Sequence, residues 1–268
     1  RARHEPLQYI TGVQEFWSLE FFVDPRVLIP RPESELLVET ALSLIRANAC
    51  FSDRPPVLLD LGTGSGALAV SLAKELKDAV IWAADNSAAA LEVARLNAEM
   101  ALAKTIQESL HPKRIPIVDG LDIWAISQPA SVVGGDFYDL IEKPDQPLTF
   151  TVGDISGKGI PAAIPMATAR AIIHYHTEAF SHPKPHAILA SLNDEFYKDF
   201  TDLGMFATAF VGQYDPSDSS IQYANAGHSP VIYRPDQGHA QLLQANDIPL
   251  GLLTSATYGD RQLYLHPA

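Results

Sequence analysis

VVGGDFYDLIEKPDQPLTFTVGDISGKGIPAA, residues 132–163, decides the fold of the larger part of this chain. The Pro- and Asp-rich break Glu142–Pro147 is flanked by FYDLI and LTFTV, two runs that predict strands folding back on each other as a hairpin. Asp136 and Asp154 are equally far in sequence from Asp145. A turn centred on Asp145 therefore makes them cross-strand partners, with Cβ atoms roughly 5 Å apart, where like charges destabilise the pair. A hard divalent cation such as Mg²⁺ or Mn²⁺ converts that repulsion into ligation, because carboxylate oxygens are its preferred ligands. The expectation depends on register, since a slip of one residue sends one carboxylate to the other face. The plainer alternative is two solvated aspartates near a turn. Gly134, Gly135 and Gly153 beside both aspartates favour a close backbone approach. Beyond them Gly157 and Gly159 lead into Pro161, and PAAIPMATARAII predicts a helix. Pro165 falls inside it and removes a hydrogen bond unless it lies in the first turn.

Working outward towards the start of the chain, VLLDLGTGSGALAV (57–70) reads as an apolar strand, a glycine-rich turn and a helix. VIWAAD (80–85) follows as a second strand ending in an acid, and both strands have the apolar character of a buried parallel sheet. Glycines at 62, 64 and 66 let the backbone approach a ligand, and an acid closing the next strand can accept hydrogen bonds from ribose hydroxyls. The same glycines would serve a tight strand-to-helix turn with no ligand. From Ser87 to Leu110 the chain lacks Gly and Pro and is rich in Ala, Leu, Glu and Lys, one uninterrupted helical signal.

Two family resemblances overlie these patterns. IQESLHP (106–112), PASVVGGDFYD (129–139), VGDISGKGIPAA (152–163), LNDEF (192–196), MFATAFVGQYD (205–215), YANAGHSPVIY (223–233) and IPLGLL (248–253) follow one another in order. This series resembles the SpoIIE/RsbU group of the metal-dependent PPM phosphatases over about residues 101–268. The resemblance implies an α/β sandwich with mixed or antiparallel sheets and a binuclear Mn²⁺ or Mg²⁺ centre. There a bridging water attacks phosphoserine or phosphothreonine on a regulatory protein of the anti-sigma-factor antagonist type. It assigns Asp136 and Asp154 as catalytic metal ligands and Ile155 as a backbone-carbonyl ligand. The family pattern continues to a TDG-type aspartate and a final DD pair, whereas the sequence stops at Ala268, shortly after Gly259-Asp260. Two carboxylates are expected to hold metal weakly, because affinity rises with the number of charged ligands.

HEPLQYITG (4–12), EFWSLEFFVDPRVLIPRPESELLVE (15–39) and LDLGTGSG (59–66) resemble the HemK/PrmC glutamine methyltransferases that modify peptide-chain release factors. The resemblance covers about residues 1–100. It implies a Rossmann-like half with S-adenosylmethionine held by Gly62, Thr63, Gly64, Ser65, Gly66 and Asp85, and a release factor as partner. The substrate-gripping NPPY motif occurs nowhere in the sequence, so this half is expected to bind cofactor without orienting a substrate amide. The two patterns change over near Glu99–Leu102 inside the predicted helix. The expected architecture is thus a chimera: a partial methyltransferase domain, residues 1–100, joined by a long helix to a phosphatase domain, residues 101–268, each lacking its own end. A third reading is a non-catalytic chain that only binds ligands.

Composition limits the alternatives. The 268 residues are 47% hydrophobic, enough for packed cores, and carry a net charge of −13. Residues 1–100 hold nine Lys and Arg against fourteen Asp and Glu, and the remainder ten against eighteen. Acidic halves argue against nucleic-acid or membrane-surface binding. The single Cys50, no run of spanning length and no signal-peptide pattern after Arg1 lead to a cytoplasmic expectation. His174, His176, His182 and His186 read as a solvated helix end rather than a zinc cluster. His228 reads as a loop-structuring residue, and Phe16, Trp17, Phe21 and Phe22 as a small aromatic core.

Overall fold

The computed structural model describes residues 5–47, 54–128, 132–235, 238–245 and 247–265. His4, Cys50, Pro129–Ser131 and His266–Ala268, on which some sequence readings rest, lie outside the described residues. The chain divides into two compact units, Arg1–Thr105 and Ile106–Ala268. That division falls inside a single helix.

In the first unit, helix α1 (Leu7–Thr11) precedes an antiparallel hairpin of β1 (Val13–Phe16) and β2 (Leu19–Phe22). Its two-residue turn is Trp17-Ser18, both at φ 54. That is the mirror-image turn that matches strand twist, usually given to Asn or Gly. Trp17 tolerates it because Glu35 accepts its backbone N–H at 2.7 Å and Glu75 its indole N–H at 3.1 Å. Helix α2 (Glu35–Ala47) follows, then β3 (Val57–Leu61), α3 (Ala67–Glu75), β4 (Val80–Ala84) and the long α4 (Ala88–Leu110). Strands β3 and β4 pair in parallel, Val57 opposite Val80 through Leu61 opposite Ala84. Phe16 and Phe21 pack edge to face at 6.2 Å in a core with Val23, Val38, Val70 and Val93, whereas Phe22 is partly exposed.

One expectation fails here. β3 and β4, read as buried, are open on one face: Val57, Leu59, Leu61 and Trp82 are 60–74% exposed. The apolar pattern was that of a sandwiched parallel strand, but the described residues place a covering layer on one side only.

The second unit is built on an antiparallel sheet in the order β11-β8-β7-β6-β5. Its strands are β5 (Phe137–Ile141), β6 (Leu148–Ile155), β7 (Ala207–Asp215), β8 (Ser220–Ala226) and β11 (Arg261–Tyr264), with β9 (Val231–Tyr233) and β10 (Gln241–Leu243) forming a separate pair. Helices α5 (Ile160–Ala179) and α6 (Pro185–Phe200) cover one face. From α6, Ile188, Leu189, Leu192 and Phe196 are fully buried, each contributing about 1.5–3 kcal/mol. They meet Phe137, Ile155, Ala209, Val211 and Ala224 from the sheet. Pro165 is buried inside α5 beyond its first turn, so it removes the hydrogen bond its N–H would have made to Pro161 O, and the helix holds there by its packing on the core.

The β5–β6 hairpin has the expected register. Phe137 opposes Gly153 and Ile141 opposes Thr149, and the turn runs through Pro144 and Asp145, the latter at φ 58. Gln146 N–H closes it on Lys143 O at 3.2 Å.

Candidate functional site

Strand alternation sorts the β5–β6 residues by face. Phe137, Ile141 and Ile155 point into the helix-covered core, and Asp136 and Asp154 are exposed on the opposite side. Ile155 N–H donates to Gly135 O at 3.3 Å, which continues the ladder past Asp136. Because Gly135 and Ile155 form a hydrogen-bonded pair, Asp136 and Asp154 occupy the next, non-bonded pair, where side chains come closest. The close approach requires glycine at 135: a Cβ there would collide with the Ile155 carbonyl oxygen. Burial pushes the Asp154 carboxyl above the ordinary aspartate value, and the Asp136 charge pushes it further. The structure therefore holds two acidic side chains against each other.

On the next strand Thr208 pairs with Asp154, and its hydroxyl lies 2.9 Å from His228 Nδ1. His228 is held by its own N–H, which donates to Asn225 Oδ1 at 2.8 Å, so it does order its loop. Burial lowers its pKa, opposed in part by Asp136. Thr208 was missed in the sequence; pairing β7 in register with Asp154 is the signal that finds it. Asp136 also lines a cleft of about 430 Å³ between the run 124–128, including Trp124 and Ile126, and the strand residues Tyr138 and Val152.

The solvated reading of the histidines is corrected at His174. Its Nε2 lies 2.6 Å from the carboxylate of Asp139, which is 2% exposed and also takes Arg170 Nε at 2.8 Å. Asp139 shares the inward face with Phe137 and Ile141, so it must be paired. Among the described residues no group of three or more His, Cys, Asp or Glu side chains is arranged to hold a metal ion.

In the first unit the glycine loop hangs from β4. Gly62 and Thr63 N–H groups donate to Ala84 O at 2.8 and 3.0 Å. Thr63 Oγ1 donates to Asp60 Oδ2 at 2.7 Å. Asp85 accepts Gly64 N–H on one oxygen and Ser87 N–H on the other, both at 2.9 Å. The Ser87 and Gly64 bonds hold its carboxyl below the ordinary range. Gly66, at φ +80, brings α3 against Ala94, 3.1 Å from where its Cβ would stand, whereas among the described residues nothing lies within 4 Å of that position at Gly62 or Gly64. The loop is therefore packed from behind and open in front. Sequence reading also missed Asn97, 4% exposed on α4. Its amide donates to Ser65 O (2.8 Å) and Phe22 O (3.0 Å) and accepts Phe22 N–H (2.8 Å). A poor helix former amid Ala, Leu and Glu was the available signal.

Comparison with known proteins finds different matches for the two parts of the chain. Residues 144–268 match the family Stage II sporulation protein E (SpoIIE), and residues 36–111 match the Methyltransferase small domain. The first match begins beyond Asp136 and includes Asp154. The chain is 57% identical over 102 residues to a release factor glutamine methyltransferase of Burkholderia pseudomallei, covering 38% of this chain and 34% of that protein. It is 43% identical over 144 residues to that of Chlorobaculum tepidum, covering 54% and 46%. The chain thus spans a third to a half of the length of the curated relatives it matches. Among solved structures it is similar to the SiaA-PP2C domain of Pseudomonas aeruginosa, with TM-score 0.55 and 25% identity over 65% of this chain and 68% of that one. None of the described helices is long and apolar enough to cross a membrane. The chain carries two resemblances in sequence order, to release factor glutamine methyltransferases in its first part and to SpoIIE-type PP2C phosphatases in its second.

Proposed function

We propose that the second unit is a metal-dependent phosphoserine/phosphothreonine phosphatase. The observation that carries the reading is the facing pair Asp136 and Asp154, two like charges on an open sheet face with no cation among the described side chains placed to neutralise them. Their donor set suits a hard cation, and Mn²⁺ or Mg²⁺ would be held by the two carboxylates with the Ile155 carbonyl beside them. Such a metal supplies a water deprotonated at neutral pH and a charge that stabilises the phosphoryl oxygens. The chain's own residues do the rest. Asp136 and Asp154 fix the position of the charge, and Thr208 and His228 offer polar groups at its border. The cleft beside Trp124 leaves room for the protein segment that bears the phosphate. With two carboxylates, a dissociation constant on the order of 10⁻⁴–10⁻³ M is expected, in the range of weak oxygen-ligand sites. The substrate class is a phosphorylated regulatory protein of anti-sigma-factor antagonist type, and the compartment the cytoplasm; both rest on the family resemblance.

The test is p-nitrophenyl phosphate hydrolysis against a Mn²⁺ titration with Asp154→Asn alongside. Metal-dependent turnover lost in the variant supports the reading; no turnover in the wild type leaves a chain that only binds ligands.

A second reading applies to the first unit, residues 1–100 of the sequence expectation. The open loop Gly62, Thr63, Gly64, Ser65 and Gly66, hung on Asp85, supports binding of S-adenosylmethionine, with a release factor as the partner of its relatives. Calorimetry with S-adenosylmethionine tests it, and no heat of binding at millimolar cofactor would end it.

A further inference from the structure

Two groups at the end of α4 reach the chain on either side of Asp136. Gln107 is 6% exposed. Its Nε2 donates to Gly134 O at 2.6 Å, and Gly134 N–H donates to its Oε1 at 3.1 Å. Both backbone groups of one glycine are thus taken by one carboxamide, a match that needs a donor and an acceptor side by side. His111, just past the helix end, stacks on Tyr138 at 5.2 Å with the rings 15° apart. Gly134 lies two residues before Asp136 and Tyr138 two residues after it.

This placement has a mechanical consequence. Val132–Asp136 precede β5 and have no regular structure, and consecutive glycines at 134 and 135 give the backbone wide freedom. Gly135 must nevertheless sit flat against Ile155 for Asp136 to face Asp154. Gln107 removes the freedom at Gly134, and the ladder from Phe137 onward removes it on the other side.

We propose that Gln107 is a positioning residue for Asp136, acting through Gly134. The inference rests on the phosphatase reading above. Groups that orient a metal ligand typically change metal affinity or activity by 10–100-fold when removed.

The experiment uses the full chain with Gln107→Met, of similar length but unable to make either bond, and Gln107→Glu, which keeps the acceptor. Glu108→Ala, on the same turn and exposed, is the control. In metal-free protein, amide exchange at Gly134 is expected to accelerate in Gln107→Met. Calorimetric Mn²⁺ affinity is expected to fall about 10-fold or more, with Gln107→Glu between Gln107→Met and wild type. With p-nitrophenyl phosphate at saturating Mn²⁺, kcat is expected to fall while KM holds. Faster Gly134 exchange with wild-type Mn²⁺ affinity and kcat would make the amide merely structural and overturn the inference, as would unchanged Gly134 exchange. Should Gln107→Met not fold, Gln107→Glu decides by the same readouts. A wild type that neither binds Mn²⁺ nor turns over removes the phosphatase reading and this inference together. A wild type that does both beside an unchanged variant removes this inference alone.

Discussion

Asp85 and Asp154 are both strand-end carboxylates beside glycine-rich loops, and they are held in opposite states. Asp85 has one oxygen occupied by the Gly64 N–H of the glycine loop and the other by the Ser87 N–H just after it, which holds its carboxyl down. Asp154 is pushed up by burial and by Asp136. The difference teaches that a glycine loop can serve a carboxylate in two ways: by turning amides towards it, or by letting a second acid come close. The first arrangement leaves no carboxylate oxygen without a donor, and the second leaves two like charges facing each other, the place where the proposed cation would sit.

The largest test of that contrast removes the acid pair. Asp154→Asn should reduce Mn²⁺-dependent turnover to background. In metal-free protein at neutral pH it should raise stability by about 0.2–1 kcal/mol, by relieving two opposed like charges; denaturant midpoints measure this. Next is Gly135→Ala, which drives a methyl into the Ile155 carbonyl. It should cost about 1–3 kcal/mol and weaken Mn²⁺ binding, read by thermal unfolding and calorimetry. In the other unit, Asn97→Ala strands the Phe22 N–H and two carbonyls, for about 1–3 kcal/mol. It should slow no phosphatase turnover, which would break the comparison if it did.

The smallest effect is in pH. A raised carboxyl pKa means the folded state holds its proton more tightly than the unfolded state. Asp154 therefore costs stability above its raised pKa, and the cost is relieved as pH falls through that value. Asp85, with a lowered pKa, contributes stability above the ordinary aspartate range that is lost as pH falls through its depressed value. Lowering the pH of metal-free protein through the raised Asp154 value should relieve the cost in the second unit while the Asp85 loop, whose carboxyl is held lower, is unchanged, measured by hydrogen exchange in each.

The hairpin register was legible because turn chemistry and strand period are local: Pro144 and Asp145 fix the turn, and counting outward places Asp136 opposite Asp154. The long helix was legible because Ala, Leu, Glu and Lys run unbroken through it. The open face of β3 and β4 was not, since periodicity reports what a strand could bury and never whether a layer arrives to cover it. Asp139 was half legible, its odd position placing it inward, but its partners Arg170 and His174 lie more than thirty residues away. Gln107 stands in the IQESLHP stretch of the family pattern, but its contact was not legible, because glutamine is ordinary in a helix and Gly134 is 27 residues distant.

The bare face of β3 and β4, with Leu59, Leu61 and Trp82 in water, decides how the protein keeps. Two molecules meeting there gain what neither finds alone. Loss from solution would then be a bimolecular process whose initial rate grows with the square of concentration, so that dilution, more than cold, preserves the sample.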